Sequence, residues 1–104
     1  MVTYNKLVRD NTPEIITNSG KTPVTHIASE QEYREKLIEK LTEEGHEFLK
    51  KENKPHELAD ILEVVHALCE VADVDFEQLE QLRQRRVVDA GAFSKRIILD
   101  EVKE

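Results

Sequence analysis

The 104-residue sequence has no tryptophan, one cysteine, three glycines, three prolines and only 5% aromatic residues. A single cysteine, Cys69, excludes a disulfide within the chain. With so few aromatics, any core must be built from Leu, Ile and Val on amphipathic helices, or be completed by a second copy of the chain. Cations are also in deficit: 22 acidic residues face 15 basic ones, a net charge of −7. That balance argues against binding a nucleic-acid polymer, which requires a basic surface. No apolar run is long enough to span a bilayer. The opening MVTYNKLVRD lacks the apolar segment of a secretory signal, so the cytoplasm is the expected compartment. There is no repeat, low-complexity stretch or linker, and one domain over 1–104 is expected.

What is present is helical pattern. Asn11-Thr12-Pro13-Glu14 starts a short helix, with Pro13 in the first turn where its missing N–H costs nothing, and Gly20 closes it. Ser29 with Glu32 three residues on forms a capping box that opens a long helix to about Lys51. Residues 52–55 (ENKP) make a turn, and Pro55 starts a second long helix to about Ala72. Asp75 caps a third over roughly 76–89, ending near Gly91. The first two long helices form an antiparallel hairpin. Residues 3–9 are expected to be a strand or an extended arm, 22–28 extended, and 96–99 a last strand, beside 3–9 or 22–28. The expected class is all-α: a hairpin plus a third long helix in a bundle, shared between subunits, with short extended segments near the termini.

Helical geometry places the acids. With Tyr33 at zero and about 100° per residue, Leu37, Leu41 and Phe48 fall near 40°, 80° and 60°. Ile38, Gly45 and Leu49 widen this apolar stripe. Glu44 falls at about 20°, inside the stripe, whereas Glu43 falls near 280°, on the far side. Glu47 and Lys40 flank Glu44. On the second helix Glu57 and Asp60 share an arc with Val64, Ala67 and Val71, while Glu63 and Glu70 point away. Folding the hairpin at Asn53-Lys54 brings Glu47 and Asp60 to nearly the same height, with Glu44 and Glu57 a turn to either side. Four carboxylates in a half-buried groove repel one another unless neutralised. Oxygen-only ligands select a hard ion, Mg²⁺ with Mn²⁺ as substitute. The competing reading is a solvated hairpin whose acids form surface pairs such as Lys40–Glu44.

Glu43-Glu44-x-x-Glu47, nine residues, then Glu57-x-x-Asp60 resembles the signature of the all-α nucleoside triphosphate pyrophosphohydrolases, a superfamily that includes MazG-like proteins, dimeric dUTPases and phosphoribosyl-ATP pyrophosphohydrolases. Tyr4-Asn5-Lys6-Leu7-Val8-Arg9-Asp10, Pro13-Glu14-Ile15-Ile16 and Gly91-Ala92-Phe93 before Ile97-Ile98-Leu99 are similar to a small MazG-like branch. The resemblance implies magnesium ligation by Glu44, Glu47, Glu57 and Asp60, and a role for Lys40, which stands four residues before Glu44. A second lysine typical of the family is absent before Glu57, where Asn53 stands.

The resemblance implies hydrolysis of a nucleoside triphosphate, or a related phosphoanhydride, to a monophosphate and pyrophosphate by in-line attack of water. Glu44 or Glu47 would be the base, and Lys40 would offset phosphate charge. Lys6 and Arg9, then Lys95 and Arg96, are the further candidates for phosphate contact. A homodimer or homotetramer is expected. Two alternatives stand beside this: phosphoribosyl-ATP pyrophosphohydrolase of histidine synthesis, and a helical nucleotide-binding or assembly module without activity. Cys69 and His66 are expected in the core and His46 towards solvent, while Arg83, Arg85 and Arg86 are expected on a salt-bridged face.

Overall fold

The computed structural model describes residues 2–103, and among these every regular element is a helix. In chain order they are α1 (Thr12–Asn18), α2 (Glu30–Lys50), α3 (Lys54–Val71) and α4 (Phe76–Ala90). The boundaries follow from the caps. The Ser29 hydroxyl accepts the backbone N–H of Glu32 at 3.2 Å and opens α2. Asn53 accepts from the His56 N–H at 3.3 Å and opens α3, with Pro55 in its first turn. Asp75 accepts from the Gln78 N–H at 3.4 Å and opens α4. Gly91, at φ 90° and ψ 175°, ends α4 in a backbone region that is essentially restricted to glycine.

α2 and α3 pack as an antiparallel hairpin, and among the described residues they are the only two helices in extended contact. Leu37 from α2 and Val64 and Cys69 from α3 are its buried apolar residues. The α2–α3 turn is pinned by Lys54, whose ammonium donates to the Phe48 carbonyl and lies 4.7 Å from the centroid of the Phe48 ring. α4 is joined to the hairpin at its start, where the Phe76 ring stacks on His66 at 3.9 Å. Beyond Glu80 it runs free, with residues 81–90 all exposed. Within one chain, then, the third long helix does not close a bundle against the hairpin.

The expected last strand over 96–99 does not form, nor does a strand form over 3–9 or 22–28. No backbone hydrogen bond joins these segments among the described residues. A strand exists only through its ladder, so without a partner edge these β-leaning sequences stay extended and largely solvated. Their apolar side chains are correspondingly open: Val24 and Ile27 are each 97% exposed and Ile98 79%.

Candidate functional site

The hairpin buries two acids. Glu44 retains 8% of its surface and Glu57 only 2%, and Asp60 is half-buried beside them. One carboxylate oxygen from each of Glu44, Glu57 and Asp60 lies within 4.8 Å of the other two. This follows from the helical pattern. Glu44 takes its place in the stripe of Leu37, Leu41 and Phe48, Glu57 and Asp60 take theirs on the arc of Val64, and the short turn sets the two stripes face to face.

The electrostatics are those of a crowded anionic site. Burial pushes the Glu44 carboxyl above its ordinary value; Asp60, Glu57 and Glu43 push the same way and Lys40 pulls back. One oxygen of Glu57, Oε2, is fully buried with no hydrogen-bond partner. A buried, unpaired carboxylate oxygen costs several kcal/mol in general and calls for an explanation. Glu43 points elsewhere, as its wheel position indicates. Its bond to Lys6 holds its carboxyl below the ordinary value.

Cations ring the three acids. Lys40 Nζ lies 3.6 Å from Glu44 and 3.7 Å from Glu43. Arg9 donates to Asp60 Oδ1 at 2.8 Å. Lys6 donates to Glu43 at 3.0 Å. The N-terminal arm thus delivers both of its candidate cations to the hairpin. Tyr4 and Lys6 of the arm, with Lys36, Lys40 and Glu43 of α2, line an open cavity of about 150 Å³ that none of the three acids borders. Lys95 and Arg96 are exposed and make no ion pair with the acids among the described residues; the Arg96 N–H closes a turn on the Phe93 carbonyl at 3.0 Å.

Glu47 stands one step outside the triad. Its carboxylate pairs with Lys51 at 3.5 Å, and Lys51 also reaches Glu57 at 3.7 Å, so a lysine bridges Glu47 to the triad. Those two acids hold the Lys51 ammonium more firmly protonated than usual, Glu57 being the larger influence. Neither Lys51 nor His56 was singled out from the sequence, and His56 lies 3.7 Å from Asp60. Both were open to detection as i,i+4 neighbours of acids already singled out. Away from the site, His26 bonds to Glu32 at 2.8 Å.

The triad offers oxygen donors only, as a hard divalent cation requires. The unpartnered Glu57 oxygen supplies a ligand atom with no competing bond. The residues therefore fit such an ion. Comparison of the chain with protein-family models, with curated proteins and with solved structures finds no significant match, which leaves this geometry as the ground for a functional reading.

Proposed function

We propose that the chain is a Mg²⁺-dependent nucleoside triphosphate pyrophosphohydrolase that releases a nucleoside monophosphate and pyrophosphate in nucleotide-pool house-cleaning. The observation that carries this reading is the buried Glu57 carboxylate, one oxygen of which is unpaired, set against Glu44 and Asp60. Three carboxylates held together in a hairpin core are unfavourable until a cation joins them, and a fold that builds such a site gains nothing from it structurally. Glu44, Glu57 and Asp60 would hold the ion, and Glu47 would complete the set once Lys51 releases it. Bound there, Mg²⁺ would neutralise phosphate charge and make water more acidic.

The chain's own residues would do the rest. Lys40, fixed between Glu43 and Glu44, would place a positive charge where phosphate oxygens become more negative. Glu47, half-buried at the edge of the triad, would accept the proton of the attacking water. Lys6 and Arg9 would meet the phosphate tail from the arm. A homodimer or homotetramer belongs to the same proposal, because one chain leaves α4 and much of the apolar surface uncovered.

The test is a panel of nucleotides, phosphoribosyl-ATP included, incubated with the purified protein and resolved by ion chromatography. Monophosphate and pyrophosphate should appear with Mg²⁺. They should fall by 10²-fold or more, an order-of-magnitude expectation, in Glu57→Gln and Asp60→Asn. Orthophosphate as the primary product, or turnover indifferent to both substitutions, would exclude the proposal. A faster rate on phosphoribosyl-ATP than on common triphosphates would move the assignment to histidine synthesis. Magnesium-dependent nucleotide binding without turnover would leave a binding module.

A further inference from the structure

The N-terminal arm, residues 3–9, makes no backbone–backbone hydrogen bond to the hairpin among the described residues. Side chains hold it in place. Lys36 Nζ donates to the Asn5 carbonyl at 2.9 Å, Lys6 donates to Glu43 at 3.0 Å, and Arg9 donates to Asp60 at 2.8 Å. Asn5 bends the arm with a left-handed φ of 49°. Of the three ties, only that of Arg9 ends on an acid of the triad.

The triad's cations are shared and do not neutralise it: five carboxylates, Glu43, Glu44, Glu47, Glu57 and Asp60, share four cations, Lys6, Lys40, Lys51 and Arg9. A divalent ion entering this set adds two positive charges at close quarters and repels the cations already there. Lys40 and Lys51 stand 3.6 Å and 3.7 Å from their triad partners, so neither holds a close hydrogen bond there. Arg9 does, at Oδ1 of Asp60, and the Asp60 carboxylate is one of the three that offer an oxygen to the cluster. The side chains of Arg9 and Asp60 are 60% and 23% exposed, so a path for exchange is open.

We propose that Arg9 is a built-in competitor for the metal position: ion entry at Asp60 evicts the Arg9 guanidinium, loosens the arm, and frees Arg9 to take a phosphate group at the mouth of the site. This rests on the metal reading above and adds regulation to it. Because linkage is reciprocal, the Arg9–Asp60 contact must weaken ion binding by the same factor by which the ion weakens that contact.

The test uses Mg²⁺ alone, with the full chain and its Arg9→Gln variant, in two measurements. Calorimetry gives the affinity. Without a cation to evict, Arg9→Gln should bind Mg²⁺ about two- to fivefold more tightly, as expected of an exposed ion pair. Limited trypsin cleavage after Lys6 reports the arm. In the unaltered protein Mg²⁺ should accelerate that cleavage, whereas in Arg9→Gln it should be fast from the outset and unaffected by the ion. Circular dichroism checks that the variant keeps its helices. Equal or weaker Mg²⁺ binding by Arg9→Gln, with cleavage in the unaltered protein indifferent to Mg²⁺, overturns the exchange and leaves the metal centre standing. Absence of Mg²⁺ binding in both proteins overturns the metal centre itself, and the exchange with it.

Discussion

Glu44 carries the clearest pH signature of any single residue. Its carboxyl titrates above the ordinary value of 4.5, chiefly through burial. A carboxyl with a raised folded pKa contributes stability below its unfolded value and loses it as pH rises through the folded one. In chelator, Glu44 should therefore weaken the fold as pH climbs from about 4.5 towards its raised value. Glu43 runs the other way, because Lys6 lowers its pKa: its contribution is present above the ordinary value and fades as pH falls. Thermal melts against pH separate the two. Glu44→Gln should raise the metal-free melting temperature near neutrality and abolish stabilisation by Mg²⁺, and Glu43→Gln should flatten only the acid side. A lower neutral-pH melting temperature in Glu44→Gln would count against a strained anionic site. Leu37, at 2% exposure, is the packing counterpart of Glu44 on α2, and Leu37→Ala should cost about 2–5 kcal/mol in denaturant melts.

Among the elements, α2 shows how far local chemistry reaches. Half of the Ser29–Glu32 capping box forms as the spacing implies. The other half does not, because the Glu32 carboxylate turns to His26 at 2.8 Å instead of reaching back to the Ser29 backbone. Ser29→Ala should still cost about 1 kcal/mol. Gly45 sits mid-helix with open space where a Cβ would stand. Gly45→Ala should accordingly stabilise the isolated chain by about 1 kcal/mol in urea. If it instead destabilises, a neighbouring copy needs that gap. The stripe on α2 is also narrower than the wheel suggests. Leu37 and Glu44 are buried, yet Ile38 and Leu49 are 55% and 78% exposed, because α3 covers only one side of it.

At the scale of the whole molecule, the chain is too open for its size. Its radius of gyration is 18.0 Å, against about 13 Å for a compact domain of this length. Leu58 and Leu62 on α3, Val88 on α4 and the run Ile97–Leu99 are all exposed. Apolar surface on this scale is expected to be covered by association. Light scattering on the eluting protein should give two or four times the chain mass. Leu62→Glu with Val88→Glu should shift it towards the monomer. A monomer from the unaltered chain at micromolar concentration would leave that surface without a partner and would count against a shared bundle.

The amino-acid order alone determined the helices, their caps and the inward direction of Glu44, Glu57 and Asp60, because these depend on a periodicity of about 3.6 residues and on side chains within a turn of one another. Lys51 beside Glu47 was legible on the same terms. The pairing of Arg9 with Asp60 spans 51 residues, and that of Lys6 with Glu43 spans 37. No local rule fixes which acid a flexible arm reaches, so those contacts were settled by tertiary structure. Tertiary structure likewise decided that the β-leaning segments find no ladder and that α4 lies off the hairpin. A strand and a bundle both need a second surface, and the sequence of one chain does not say where that surface is.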